Sequence, residues 1–434
     1  MKIGIGLLGL GTVGAGVAEI LLNPSGRHPL VAQLELRQVG VRSLERTIPS
    51  GLNRQLLCLD PAAVVANPAV DLVVEVMGGI EPARSLILAA IAAGKPVVTA
   101  NKAVIARHGA EIAAAAAEKG VYVLMEAAVG GGIPILEPLK QSLGANRIER
   151  VSGIINGTTN YILSRMAEEG ASYKDVLTDA QALGYAEANP DADVNGGDAA
   201  DKIAIVVGLA YGGLVDRSEI PTEGIAKLQI KDINYARELG FVVKLLAVAE
   251  RHGSDGDGTE LLDVRVHPTL VPKTHPLAGV NGVNNAILVE GDPVGQVMFY
   301  GPGAGSGPTA SAVVADILNI AAIQQAAGAA NSLDPLLAAS SWRSCRLVDS
   351  AITKHRNYVR FQTADLPGVI GHIGHCFGAE GVSLQSIVQF ESEGFGAEIV
   401  VITHAVQESN FRRALEMILQ RQEVEAVVSC LRTL

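Results

Sequence analysis

Between Gly184 and Lys202 the chain reads GYAEANPDADVNGGDAADK, in which four residues are Asp, one is Glu and one is Lys. Asp198 and Lys202 stand at i and i+4. If Ala199–Tyr211 is helical, their side chains leave the same face at the helix start. The residues that follow, IAIVVGLAY, are apolar, so a core holds that start rigidly. A carboxylate and an amine fixed together can bind a zwitterion and move a proton. The same pattern also fits a surface i,i+4 ion pair or an acidic helix start, and both alternatives stay open. A calcium loop does not fit. Asp191-x-Asp193-x-Asn195-Gly196 matches its first half, but Lys202 stands where the loop needs a bidentate Glu.

A second amine, Lys102 in Thr99-Ala100-Asn101-Lys102, follows an apolar strand. Ligands of open α/β sheets bind at the carboxyl ends of strands. Lys102 therefore faces the expected meeting place of cofactor and substrate, with an ordinary surface lysine as the alternative. The cofactor is suggested by Gly9-Leu10-Gly11-Thr12-Val13-Gly14, a G-x-G-x-x-G turn after a strand and before a helix. Gly9 permits the tight turn, Gly11 lets a pyrophosphate approach, and Gly14 lets helix and strand pack closely. The helix N-terminus adds free N–H groups and partial positive charge. The alternative is a tight turn with no ligand. The second strand closes on Val41-Arg42-Ser43, with Arg46 nearby and no acid to bind a ribose 2′-hydroxyl. Arg42 suits a 2′-phosphate, which favours NADP(H) over NAD(H), unless it is simply a solvated arginine.

These groups need a frame. Residues 1–130 alternate strand and helix: strands Lys2–Leu8, Leu34–Val41, Val70–Met77, Lys95–Ala100 and Val121–Glu126, helices Thr12–Leu22, Pro82–Ala93 and Lys102–Glu118. This spacing predicts an α/β, Rossmann-like, doubly wound parallel sheet. Gly130–Pro134 marks a boundary, and 131–300 reads as an α+β domain. It holds helices Tyr173–Leu183 and Ala199–Tyr211, and strands Arg150–Ile155, Phe241–Glu250, Leu261–Pro268 and Ala286–Glu290. The uncharged stretch Pro293–Ala315 leads into a helix Ala310–Gln325, so that 300–327 completes the first domain. Residues 328–354 read as a linker. Residues 355–434 follow a β-α-β-β-α-β order, the ferredoxin-like plan.

Composition bounds the possibilities. With 34 Lys and Arg against 45 Asp and Glu, the net charge is −11, which argues against nucleic acid as a partner. The 48 glycines suggest many loops that approach something closely. Cys58, Cys345, Cys376 and Cys430 lie far apart, with no C-x-x-C pair, which fits a reducing cytoplasm. The uncharged stretch is too rich in Gly, Pro and Ser for a membrane span. The apolar N-terminus reads as a buried strand rather than a signal peptide.

Taken together, the motifs resemble the homoserine dehydrogenase family. The carriers are GLGTVG (9–14), EVMGGIEPA (75–83), TANKAVIA (99–106), EAAVGGGIPI (126–135), SGIINGTTNYIL (152–163), LGYAEANPDADVNGGDAADK (183–202) and FYGPGAG (299–305). ADLPGVIGHIGHCFGAEGVSLQSIVQ (364–389) resembles an ACT domain, a small ligand-binding regulatory module. The resemblance implies NAD(P)H-dependent reduction of L-aspartate 4-semialdehyde to L-homoserine, on the route to threonine, methionine and isoleucine. Glu187 and Asp198 would bind the substrate's amino group. Lys202 would serve as general acid/base, with Lys102 near the same oxygen, and two ammonium groups sharing one site should depress each other's pKa. Gly184, Gly303 and Gly305 are placed with the cofactor contacts. Glu126 with the carbonyls of Val129, Gly131 and Ile133 would form a monovalent cation site for Na+ or K+. In the tail, Asp365, Gly368, Val369, Ser386 and Gln389 are expected to receive L-threonine, and a homodimer or dimer of dimers is implied. Asn189 stands where the family commonly has Asp, at a position without a catalytic role. A rival on the same fold, aspartate-semialdehyde dehydrogenase, needs a cysteine nucleophile, and no cysteine lies in the matched motifs of the dehydrogenase domains. A second rival, a non-catalytic amino-acid sensor, leaves the intact set of Lys102, Glu187, Asp198 and Lys202 without a purpose.

Overall fold

The computed structural model describes residues 2–326, 333–334, 337–338, 341, 343–391 and 396–434, without the side chains of 326 and 391. The first sheet holds β1 (Ile3–Leu8), β2 (Leu34–Gly40), β3 (Leu57–Cys58), β4 (Leu72–Glu75), β5 (Val97–Thr99) and β6 (Val123–Leu124). They are parallel, in the order β3-β2-β1-β4-β5-β6. Strand β1 is buried along its whole length, so IGIGLL is a continuous apolar run rather than an alternation. Around the sheet lie α1 (Thr12–Leu22), α2 (Pro61–Ala66), α3 (Ala83–Ala92) and α4 (Lys102–Lys119). The strand order reverses between β1 and β4, which opens a crevice at their carboxyl ends beside the glycine turn.

The second region contains β7 (Arg147–Ile154), β8 (Phe241–Ser254), β9 (Glu260–Pro272), β10 (Asn284–Asp292) and β11 (Gly295–Pro302). Its helices are α5 (Leu136–Lys140), α6 (Gly157–Glu169), α7 (Tyr173–Ala182), α8 (Asp191–Val194), α9 (Gly197–Tyr211) and α10 (Ile230–Glu238). Helix α11 (Ser306–Ala326) returns to the first region and packs along α1. There Ser306 Oγ donates to the Thr12 carbonyl at 2.8 Å. By length and composition α11 suffices to cross a membrane, but half of its most apolar stretch is buried inside the fold. Its contacts with α1 make it a core helix.

Two expectations are corrected. The uncharged stretch near residue 300 is not a bare approach to a helix. Its first part is the edge strand β11, paired antiparallel with β10 from Asn284–Pro302 to Gly291–Gly295, and α11 starts at Ser306 rather than Ala310. The expected linker, part of which lies outside the described residues, contains a strand β12 (Cys345–Leu347) that joins β9 in parallel.

The tail comprises β13 (Lys354–Ala364), α12 (Val369–Ala379), β14 (Leu384–Glu391), β15 (Gly396–Thr403), β16 (Val406–Gln407), α13 (Glu408–Ile418) and β17 (Val424–Thr433). Its strands order as β17-β13-β15-β14, the ferredoxin-like arrangement. This sheet is not separate. Strand β17 pairs with β9 through Arg432↔Thr269 and Thr433↔Leu270, making one continuous sheet from β11 to β14. One face of the tail sheet packs Val359, Phe361, Ile399 and Val401 against its own helices. The other meets α10, where the buried Arg360 grips Asp232 at 2.8 and 3.2 Å. Lys231 and Tyr235 of α10 bond Glu398 of β15 at 2.8 and 2.9 Å.

Candidate active site

Four chain segments deliver the chemistry to one place. Lys102 opens α4 at the carboxyl end of β5, where Asn101 caps the helix by accepting from Val104 N–H at 3.3 Å. Asn101 is itself held by a donated bond to the Gly79 carbonyl at 2.7 Å. Below it Glu75, at the end of β4, accepts from Thr99 Oγ1 at 2.7 Å and Met77 N–H at 2.8 Å. Burial raises the Glu75 pKa against those hydrogen bonds. After β7, Asn156 caps α6 by accepting from Thr159 N–H at 2.8 Å. Helix α9 starts at Gly197, two residues earlier than expected, and carries Asp198 and Lys202 one turn apart on a buried face.

Asp198 is the hub. One carboxylate oxygen touches the Lys102 ammonium. The other accepts from Lys202 Nζ at 2.7 Å and from Asn156 Nδ2 at 2.9 Å. Lys202 Nζ also donates to the Ile155 carbonyl at 2.7 Å. Burial pushes the Asp198 carboxyl up, but the two ammonium groups outweigh it and hold the pKa far below the usual carboxylate range. The expected mutual depression of the lysines appears in Lys202 alone. Burial, reinforced by Lys102, lowers its pKa despite Asp198. Burial also pulls on Lys102, but Asp198, Asp193 and Asp201 together outweigh it, and its pKa rises.

The glycine turn meets α1 as a phosphate cradle requires. Gly9 has φ +101, and a Cβ on Gly14 would lie 2.1 Å from the Gly9 carbonyl oxygen. A Cβ on Gly11 would meet nothing within 4 Å, so the space beside it is open. Helix α1 has no side-chain cap and no acid in its first turn, which leaves the N–H groups near Thr12 and Val13 for an anion. Arg42 is exposed just beyond β2 and pairs with no carboxylate among the described residues. The loops carrying Gly131 and Gly303 are stacked together. A Cβ on Gly131 would lie 2.3 Å from the Gly303 oxygen, and Gly132 N–H donates to the Pro302 carbonyl at 3.1 Å. Gly305 follows with φ +123.

Not every expected residue joins the cluster. Glu187 is exposed, and its carboxylate has no partner among the described residues; only its carbonyl is engaged, by Gln181 at 3.0 Å. Gly184 is likewise exposed, in the same segment. That segment lies over the start of α6, where Thr158 Oγ1 donates to the Tyr185 carbonyl at 2.7 Å. The Glu126 carboxylate accepts from the N–H groups of Ile135 and Leu136 through Oε1, at 2.5 and 2.9 Å, and from Glu137 through Oε2, at 2.6 Å. In the tail, Gln389 Nε2 donates to Asp365 Oδ1 at 2.9 Å, near Gly368 and the buried Val369 at the start of α12. Ser386 is three residues from Gln389 on a strand and so lies on the opposite face, the one on which Phe390 stacks on Tyr235.

Several contributors were missed in the sequence. Asn156 carried a usable signal, since Asn before Gly-Thr-Thr is a helix-cap pattern. Glu75 and the Ile155 carbonyl act through contacts distant in sequence, which no local pattern announces. Asp201, bonded by Arg217 at 2.7 Å and Arg107 at 3.0 Å, ties α9 to α4 and so fixes the two lysines relative to each other.

The family model described as "Homoserine dehydrogenase, NAD binding domain" matches residues 9–126, and "Homoserine dehydrogenase" matches 134–318. A homoserine dehydrogenase of Synechocystis sp. is 57% identical over 100% of both chains. The crystal structure of a homoserine dehydrogenase from Thiobacillus denitrificans superposes with TM-score 0.91 at 40% identity, covering 100% of this chain and 98% of that one. A hyperthermophilic archaeal homoserine dehydrogenase in complex with NADPH aligns at TM-score 0.61 and 28% identity, covering 74% of this chain and 98% of that one. With two lysines on one carboxylate at the mouth of a dinucleotide fold, and relatives matched from end to end, the chain belongs to the homoserine dehydrogenase family.

Proposed function

We propose that this chain interconverts L-aspartate 4-semialdehyde and L-homoserine with NADP(H) as the preferred cofactor and NAD(H) as a poorer one. The observation that carries the reading is the Lys102–Asp198–Lys202 cluster at the carboxyl ends of the nucleotide-domain strands. The open space at Gly11 and the uncapped α1 fit a pyrophosphate. When bound, the reduced nicotinamide supplies the hydride that the aldehyde carbon accepts. Lys202, the lysine with the depressed pKa, gives the proton to the aldehyde oxygen and takes it back in the reverse direction. Lys102 stays charged and stabilises the developing alkoxide. Glu187, on the segment over α6, turns inward to the substrate's amino group.

Arg42, exposed and without a carboxylate partner, supports the NADP(H) preference. A monovalent cation bound by the 126–133 segment is supported by the buried carbonyls of Val129, Gly131 and Ile133, which accept no hydrogen bond among the described residues. Glu126 Oε2 accepts a single N–H, from Glu137, and so keeps capacity for such an ion. L-threonine binding at the tail, near Asp365 and Gln389, is supported by the ferredoxin-like topology and by the contact of these two residues. Edge strand β11 exposes Met298 and Tyr300, a surface suited to a second copy of the chain. A cytoplasmic setting follows from the family's biosynthetic role.

The test is oxidation of L-homoserine by the purified chain with NADP+ and then NAD+, followed by the absorbance of the reduced nicotinamide. Activity that vanishes in Lys202→Met while the fold is kept supports the reading. Absence of activity in the unaltered chain, at alkaline pH with Na+ or K+ present, overturns it.

A further inference from the structure

One buried carboxyl group takes no part in the reaction described above. Asp316 lies on α11, fully buried, and one of its oxygens accepts from Glu126 N–H at 2.8 Å. Its other oxygen is buried with no hydrogen-bond partner among the described residues. Around it sit Glu126, Glu137 and Lys140. Lys140 pairs with Glu137 at 3.2 Å, so those two charges offset each other. What remains, among the described residues, is two buried carboxyl groups served by four backbone N–H groups and no further cationic side chain. A buried carboxyl group without a cation nearby is pushed towards its neutral form, and it carries its charge comfortably only beside a counter-charge. The adjoining turn offers the carbonyls of Val129, Gly131 and Ile133, which accept no hydrogen bond among the described residues. A hard cation with oxygen ligands matches this donor set. Only one carboxylate oxygen is uncommitted, which suits a monovalent ion better than a divalent one.

We propose that Asp316 supplies the anionic oxygen of the cation site, so that the ion bridges α11 of the nucleotide domain and the 126–133 turn. The inference rests on the cation reading above. It adds that the ion fastens the turn that carries Gly131, and through it the Gly303 loop, to the nucleotide domain.

Thermal unfolding of the full chain separates the two readings. Melting is compared in NaCl, KCl and choline chloride at equal ionic strength, for the unaltered chain and for Asp316→Asn. The expected result has two parts. Na+ or K+ raises the melting temperature of the unaltered chain relative to choline. D316N melts close to the unaltered chain in choline, since the amide keeps the shape of the side chain and an oxygen for the Glu126 N–H, and needs at least tenfold more salt for the same rise. A D316N response with an unchanged midpoint overturns the role of Asp316 and leaves the cation reading standing. No response in the unaltered chain overturns both. Asp316→Ser keeps an oxygen for the Glu126 N–H and repeats the test if D316N does not fold. Sodium-23 line broadening by the unaltered chain, reversed by K+, provides a readout independent of stability.

Discussion

Replacing Asp198 by Asn tests the centre of the argument because it keeps the shape of the side chain and removes one charge. In the native site that charge touches Lys102 and lies 2.7 Å from Lys202 Nζ. With charge centres roughly 4 Å apart and an effective dielectric constant of about 20, the lost attraction to Lys202 is about 4 kcal/mol. Lys202 then keeps its burial and its like-charged neighbour without a counter-ion, and its pKa falls further. The sign of the stability effect follows. A lysine whose folded pKa is depressed binds fewer protons folded than unfolded, so stability rises with pH from the folded pKa up to the ordinary lysine range. The variant begins that climb at lower pH than the parent. Its deficit is therefore largest in the acid part of the range and closes by up to about 4 kcal/mol as pH rises, at no more than about 1.4 kcal/mol per unit. Below the ordinary carboxylate range a second change enters. The depressed Asp198 carboxyl contributes stability above its unfolded pKa, and that contribution is lost as pH falls through its folded pKa. Urea unfolding of both proteins from pH 6 to 10 measures the gap, and the pH profile of homoserine oxidation should show its Lys202 limb moved to lower pH. A gap that stays flat across this range would refute the charge coupling of Asp198 and Lys202.

Further outcomes follow from the same contacts. Gly11→Ala should leave the melting temperature within a degree or two yet weaken cofactor binding at least tenfold, because its Cβ meets only the open space. Gly14→Ala should destabilise the cofactor-free chain, because its Cβ collides with the Gly9 carbonyl; equal melting of the two variants contradicts both assignments. Arg42→Ser should lower the NADP+/NAD+ ratio of kcat/KM by about tenfold to a hundredfold, the worth of a charge-assisted phosphate bond of roughly 1.5–3 kcal/mol. Lys102→Met relieves the like charge on Lys202, so the pH limb should move upward while kcat falls; an unmoved limb means Lys202 is not the titrating group. Ending the chain after residue 350 should produce aggregation or loss of cooperative unfolding, since it strips Asp232 of Arg360 and bares the Thr269–Leu270 end of β9. Leaving one member of a buried pair alone typically costs about 3–5 kcal/mol. A 1–350 chain that melts like the full one would show that the tail is an appendage. Threonine dependence is better tested with Asp365→Ala and Gln389→Ala in the full chain.

The readable parts of the fold are those carried by local pattern. The glycine turn, the strand–helix alternation and the i,i+4 placement of Asp198 and Lys202 each depend on residues within a few positions of one another, so sequence displays them directly. Strand β11 was hidden because Gly, Pro and Ser dominate its surroundings and because an edge strand takes its hydrogen bonds from a neighbour, here β10. The merging of tail and catalytic sheets at Arg432↔Thr269 joins residues far apart in the chain, and no periodicity encodes it. Lys102 could be placed at a strand end but not against Asp198, because that contact depends on how α4 packs on α9. Asp316 reads as a lone acid in an apolar helix, and only the fold reveals that one of its oxygens is spent and the other is not.

Two lysines on one carboxylate would duplicate each other if their surroundings were alike, and the packing makes them different. Lys102 begins α4, where the free N–H groups of the helix disfavour a cation. Its side chain nevertheless keeps 40% of its surface in solvent and faces Asp193, Asp198 and Asp201, so the ammonium form prevails. Lys202 keeps only 11% of its surface and has a carbonyl, an amide-braced carboxylate and a like charge for company. One amine is thereby held as a fixed positive charge and the other is brought towards the range in which a proton can be exchanged. Catalysis of a reversible carbonyl reduction needs both: an electrostatic partner that does not change its charge, and a donor that recovers as a base. The helix that carries Asp198 and Lys202 achieves this division by burying its second turn more deeply than its first neighbour on α4. The difference between the two lysines therefore arises from the packing of α4 on α9, and the Arg107–Asp201–Arg217 bridge helps to fix this packing without a hydrogen bond to either lysine.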